Sequence, residues 1–292
     1  NEWGGTADTV LAAHNGDWVA AKGFELVADN QFKIRVNSDW AVNYGAEGDV
    51  EPFALAAGET YTLVAGGKNM NLPAGAYDVL TDSEGTVIGV VTGWTDDTSL
   101  PTSGTWKLLT DVTVSGSYTK TTDDLYLDLN GHDITYQSAE ANVANYPFRV
   151  ENGVKLVIDD TSEGTPGTIR AQYTTAGAVL SGHTAGLVYV VNGGELVVKN
   201  GIFDVSEVTN TYTPLNACGA IVVGANAKVV IEDGEFYGFK STAGYGGAIG
   251  GYANSDITIN GGEFSGTDSS AAGYGTAIHS FGKLTITGGE IS

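Results

Sequence analysis

The sequence predicts an all-β chain: an N-terminal β-sandwich followed by a right-handed, single-stranded parallel β-helix. Two observations carry the second half. A short segment of alternating apolar residues recurs along it, and each copy ends in a bend built from Asp, Asn or Gly. A third carries the first half, where alternating strands are bounded by turn residues and no such repeat is found.

The repeat begins with Lys155-Leu156-Val157-Ile158-Asp159-Asp160 and returns as Glu195-Leu196-Val197-Val198-Lys199-Asn200, Lys228-Val229-Val230-Ile231-Glu232-Asp233, Asp256-Ile257-Thr258-Ile259-Asn260-Gly261 and Lys283-Leu284-Thr285-Ile286-Thr287-Gly288. Leu127-Asp128-Leu129-Asn130-Gly131 is an earlier, less regular copy. From Leu196 to Val229, Ile257 and Leu284 the steps are 33, 28 and 27 residues, a length that suits a coil of three short strands. Units that cannot bury an apolar face alone must stack. Parallel stacking would set Leu196/Val198, Val229/Ile231, Ile257/Ile259 and Leu284/Ile286 in ladders ~4.8 Å apart. Asp160, Asn200, Asp233, Gly261 and Gly288 follow at a fixed offset, and these residue types tolerate the left-handed conformation of a tight bend. Phe203, Phe236, Phe264 and Ile291 come next and should form an internal ladder. Gly219-Ala220-Ile221, Gly247-Ala248-Ile249 and Thr276-Ala277-Ile278 supply another wall. The stretches from Thr209 to Cys218 and from Ser265 to Gly275 absorb the variable length at one corner.

Residues 1–94 have another texture. Phe32, Ile34 and Val36 alternate with Lys33 and Arg35, Tyr61 and Leu63 alternate with threonines, and Tyr77 and Val79 follow a Pro-Ala-Gly turn, a pattern that suits a sandwich. The polar stretch 95–104 reads as a linker, and the β-helix is expected over 105–292.

Composition limits the function classes. Thirteen basic against 35 acidic residues give a formal net charge of -22, which repels nucleic acid and anionic lipid. The single Cys218 excludes an internal disulfide. No apolar run reaches the ~20 residues of a membrane span. Gly-rich, acidic, Cys-poor composition points to an extracellular or bacterial cell-surface location. The segment from Asn1 does not read as a signal peptide, and Asn1 reads as an internal start.

Resemblances sharpen both halves. The runs Thr105–Val114 and Leu127–Ile134, with the repeated Gly-Gly-Glu-Phe turns, resemble pectate-lyase-like β-helix adhesins of Gram-positive gut bacteria. Asn1-Glu2-Trp3, Asn15-Gly16-Asp17-Trp18 and the run from Phe32 to Gly45 resemble starch-binding β-sandwich modules of the SusE/SusF type. That second resemblance implies an aromatic platform for glucose rings at Trp3 and Trp40, with Lys33, Arg35 and Asn43 as polar partners; Trp18 itself reads as a core residue. Flat C–H faces of pyranose rings suit indole, and sugar hydroxyls need a few placed partners. The resembled modules begin one strand before Asn1, and no cap motif precedes Ser292. The expectation is a fragment of a longer polypeptide, or ends completed by neighbouring copies.

Enzymes on a β-helix need converging carboxylates, for calcium or for acid/base work. Asp159-Asp160 and Asp123-Asp124 are the candidate pairs, but Asp160 occupies a repeated bend position. Glu235, Glu263 and Glu290 read as a solvated row. His132 belongs to an Asn-Gly-His turn, His279 has no readable partner, and Arg149 and Arg170 sit in no acidic motif. No catalytic set, metal site or cofactor is expected. The sequence therefore reads as a non-catalytic surface adhesin that binds an α-glucan such as starch through its sandwich, with the β-helix as stalk. A head-to-tail filament subunit contacting copies of itself stands second. A polysaccharide lyase or hydrolase on the β-helix stands third.

Overall fold

In a computed structural model the chain forms two compact units, Asn1–Gly93 and Trp94–Ser292. The structure describes residues 11–14, 17–20, 24–26, 33–36, 39–45, 75–81, 87–116, 119–138, 146–173, 179–180, 186–210, 219–241, 247–266 and 277–292. No helix occurs among them.

The described part of the N-terminal unit is antiparallel, the pairing a sandwich uses. Leu11–His14 pairs with Asp17–Ala20, and Lys33–Val36 with Asp39–Gly45. Gly75–Thr81 lies between Phe24–Leu26 and Val87–Trp94. The expected strand around Tyr61 and Leu63 lies outside the described residues.

The second unit is a parallel β-helix of three walls. The first wall stacks Gly104–Leu108, Leu125–Asp128, Lys155–Asp159, Glu195–Val198, Lys228–Ile231, Asp256–Ile259 and Lys283–Ile286. The second stacks Val112–Ser115, Ile134–Ser138, Thr168–Tyr173, Ile202–Asp204, Glu235–Tyr237, Glu263–Ser265 and Glu290–Ile291. The third runs from Thr119–Lys120 through Phe148–Val150, Val188–Val190, Ile221–Val223 and Ile249–Gly251 to Ile278–Ser280. Every pairing is parallel, and crossovers between parallel strands take the right-handed sense. Leu196 registers with Val229, Val229 with Ile257 and Ile257 with Leu284, so the repeat spacing is the coil length.

Alternation sends one side of each strand into a continuous core. Leu156, Ile158, Leu196, Val198, Val229, Ile231, Ile257 and Ile259 are fully buried. Phe203, Phe236 and Phe264 form the expected ladder. Their ring centroids lie 5.0 and 4.7 Å apart at interplanar angles of 12° and 5°, the spacing of the strands that carry them. In the last described coil Leu284, Ile286 and Ile291 continue these columns but are exposed, with no described coil beyond them.

The corners differ in kind. Between the third and first walls the connection holds four residues on successive coils: 121–124, 151–154, 191–194, 224–227 and 252–255. Four of these turns close with a bond from fourth N–H to first C=O, as from Gly194 to Val191 and from Ala227 to Gly224. Gly153, Gly193, Asn226 and Asn254 supply the positive φ these turns require. The variable segments 211–218 and 267–276 fall between second- and third-wall strands, as expected. Length varies at the other corners too: the connection from first to second wall grows from three residues at 199–201 to eight at 160–167, and the last turn from third to first wall shortens to two, 281–282.

At the corner from first to second wall, the left-handed residue is one later than the sequence reading put it. Gly201, Gly234, Gly262 and Gly289 carry the positive φ. Asn200 and Asp233 instead accept the following glycine's N–H on Oδ1, at 2.8 and 2.9 Å. The Asx side chain caps the bend, and the glycine makes it.

The stretch 95–104 is held against the first coil. Trp94 packs edge-on against Trp106 at 4.8 Å, Leu100 is buried, and Thr113 N–H donates to Asp97 O. Asp96 accepts from Thr98 and Ser99, which hold its carboxyl down to about 2, the Ser99 hydroxyl contributing most.

Candidate functional site

The residues with an expected sugar-binding role lie in the N-terminal unit. Trp3 is outside the described residues. Lys33 and Arg35 lie on one strand of a hairpin, Trp40 and Asn43 on the other. The register sets Arg35 opposite Asn43, with a shift between Arg35 and Val36. The hairpin thus brings four of the five expected residues within two paired strands.

The β-helix has its acids elsewhere, and their geometry fixes what they can do. Asp160 is buried at the corner joining the first wall to the second. Its Oδ2 accepts from the N–H groups of Gly131 (2.9 Å) and Gly167 (2.7 Å), and its Oδ1 from the N–H and hydroxyl of Ser162. Asp128, one coil earlier, is also buried. It accepts from the N–H groups of Asn130 and Thr161, from the Thr161 hydroxyl, and lies 3.7 Å from the buried Lys107 ammonium. Burial pushes the Asp128 carboxyl up despite these donors. Asp159 takes the Tyr126 hydroxyl at 2.7 Å and lies 3.8 Å from Lys199. Burial first, and then this bond, push the Tyr126 phenol well above its ordinary range. Each carboxylate is turned to the coil's own donors, and none converges with another on a shared open position.

His132 Nδ1 lies 3.2 Å from Asp111 Oδ1, which also accepts the Asp133 N–H. That N–H holds the Asp111 carboxyl below its usual range. Arg170 pairs with Asp133, and Arg149 Nε lies 2.7 Å from Glu151. His279 packs edge-on against Phe281, and burial pushes its imidazole down. Among the described residues no three His, Cys, Asp or Glu side chains are grouped so as to hold a metal ion.

Two outer columns organise the remaining charge. On the first wall Lys155, Glu195, Lys228, Asp256 and Lys283 occupy one register position. Lys155 and Lys228 lie 3.3 and 3.5 Å from Glu195, and Lys283 lies 3.1 Å from Asp256. On the second wall Glu235, Glu263 and Glu290 share a column of one sign. Tyr237 donates to Glu235 at 2.7 Å, and that bond holds its phenol up to about 12. The first column was readable, because its members are the first residues of the repeated segments. What hides it is that the sign changes while the position repeats.

No protein-family model, curated protein or solved structure matches this chain.

Proposed function

We propose that this chain is a non-catalytic extracellular or cell-surface protein that binds an α-glucan through its N-terminal module and uses the β-helix as a stalk. The observation that carries the non-catalytic part is the engagement of Asp128, Asp159 and Asp160. A general acid or base needs a lone pair or proton aimed at substrate, and these oxygens are taken by turn N–H groups, hydroxyls and lysines. The glucan part is supported by the resemblance of the module and by the pairing of the strand that carries Lys33 and Arg35 with the strand that carries Trp40 and Asn43. The net charge of -22 and the single cysteine support the location.

Pull-down on insoluble starch and calorimetry with maltoheptaose test this reading. Binding by the full chain, abolished in the Trp3→Ala/Trp40→Ala double variant, is the expected result. Equal binding by that variant would remove the assigned platform, and no binding to any glucan would remove the function.

A further inference from the structure

The outer face of the first wall carries a charge pattern that contacts within the chain only half explain. Lys155, Glu195 and Lys228 stand at the start of successive strands, and Asp159, Lys199 and Glu232 stand four residues further along each. Between these two columns Val157, Val197 and Val230 stack in register on the side away from the core. Each charged column alternates along itself, and its own ion pairs account for that: Glu195 lies near Lys155 and Lys228, and Lys199 near Asp159. The two columns are also opposite in sign to each other in all three coils. That relation serves no contact within a strand, because four residues set the columns about 13 Å apart. The face is also neutral. With the next two coils included, Lys155, Lys199, Lys228 and Lys283 balance Asp159, Glu195, Glu232 and Asp256, whereas the whole chain carries a formal net charge of -22. A second acidic chain meets least repulsion on such a face.

We propose that the outer face of the first wall is a self-association surface, on which a second copy of this chain packs face to face about a two-fold axis parallel to the coil stack. Such an axis sets each coil opposite the same coil of the partner, with the facing strands running in opposite directions. An interface of this kind must be complementary to itself. The start of each strand then meets the end of the partner's strand. Lys155 faces the partner's Asp159, Glu195 the partner's Lys199 and Lys228 the partner's Glu232, and each pair is made twice. The valine column lies along the axis and meets its own copy, which gives an apolar centre between charged rims. A slide of one coil would set like charges together along both rims, so the charges fix the register as well as the partner.

The surface has limits on both sides. In the coil before it both ends are acidic, the exposed Asp124 and the buried Asp128, so the pattern starts at Lys155. In the two coils after it the valine column gives way to Thr258 and Thr285. There Asp256 and Lys283 would meet the partner's Asn260 and Thr287, neutral side chains that can hydrogen-bond with either sign. Three coils make a small contact, which belongs with weak, transient interfaces. Salt of about 0.15 M screens the long-range repulsion between two acidic chains and leaves close pairs at the face less affected. Pairing would put two N-terminal modules on one assembly, and its test does not depend on what that module binds.

The test is analytical ultracentrifugation of the full chain at concentrations up to about 1 mM, with two variants that leave the net charge unchanged. Glu195→Lys/Lys228→Glu reverses two charges of one column, and Lys199→Glu/Glu232→Lys reverses two of the other. Either variant alone sets like against like in two of the three coils and should dimerise at least about tenfold more weakly than the native chain, with native circular dichroism. Mixed in equal amounts, the two are complementary at every position, and the mixture should associate about as well as the native chain. A native chain that stays monomeric at the highest concentration would overturn the proposal. So would variants that dimerise as well as the native chain, or a mixture no more associated than its components. Val230→Cys in a Cys218→Ser background leaves every charge in place and gives a second readout. A short bismaleimide should join two copies at position 230, and no more crosslinking there than at Glu263→Cys on the second wall would overturn the proposal as well.

Discussion

The first and second walls carry the same backbone ladder, yet their outer columns follow opposite rules. Lys155, Glu195, Lys228, Asp256 and Lys283 alternate in sign, whereas Glu235, Glu263 and Glu290 do not alternate at all. In a parallel in-register stack each residue sits directly over its equivalent, so a repeat copied without change places like beside like. Inside the coil that is favourable, as Phe203, Phe236 and Phe264 show. Outside it is favourable only if charge alternates. The first wall meets this condition, and the glutamate column is held by the phenylalanines on the opposite side of the same strands.

The comparison can be broken in order of expected effect. Phe236→Ala empties the middle of the inner ladder and should cost about 3–5 kcal/mol in denaturant unfolding. If it costs no more than a surface change, the aromatic ladder does not hold the second wall. Asp160→Ala leaves three N–H groups without their acceptor at a buried corner and should cost about 3 kcal/mol, with faster amide exchange at Gly131, Ser162 and Gly167. Lys228→Glu sets three acids in succession on the first wall. Because both partners are partly exposed, the loss should be about 1 kcal/mol. Glu263→Lys does the reverse on the second wall, converting a like-sign column into an alternating one. It should raise stability by about 0.5 kcal/mol at low salt, with the gain shrinking as salt is added.

The Tyr237 phenol gives a pH-dependent probe of the glutamate column. Its folded value of about 12 lies above the ordinary value of 10.0 because it donates to Glu235. The folded state thus keeps the proton where the unfolded chain loses it. The contribution is complete below pH 10 and is lost as pH rises through 12. Absorbance titration of Glu235→Gln should bring the phenol down towards its ordinary value. An unchanged titration would place the cause elsewhere.

Much of the β-helix was legible because its signals are local and repeated. Leu196/Val198 and their equivalents gave the first wall, Phe203 and its equivalents the second, and Ala220-Ile221 and Ala248-Ile249 the third. The bend was misplaced by one residue because Asn, Asp and Gly all tolerate left-handed backbone, and composition does not show which of two neighbours adopts it. The four-residue turns around Gly153, Gly193, Asn226 and Asn254 were less legible because their sequences, such as Glu-Asn-Gly-Val and Tyr-Ala-Asn-Ser, share only a Gly or Asn at the third position. The sugar-binding residues are a different case. Their assignment comes from resemblance, and only the pairing of the Lys33 and Trp40 strands adds to it.

The central claim is that the outer charge of the first wall works through alternation and not through any one sign. A variant with Lys155→Glu, Glu195→Lys, Lys228→Glu, Asp256→Lys and Lys283→Glu inverts the whole column while keeping it alternating. It changes the net charge by the same two units as Lys228→Glu alone, so the two variants can be compared directly by denaturant unfolding. The inverted column should match the native chain to within about 0.5 kcal/mol, with Lys228→Glu clearly below both. An inverted column no more stable than the single reversal would contradict the account.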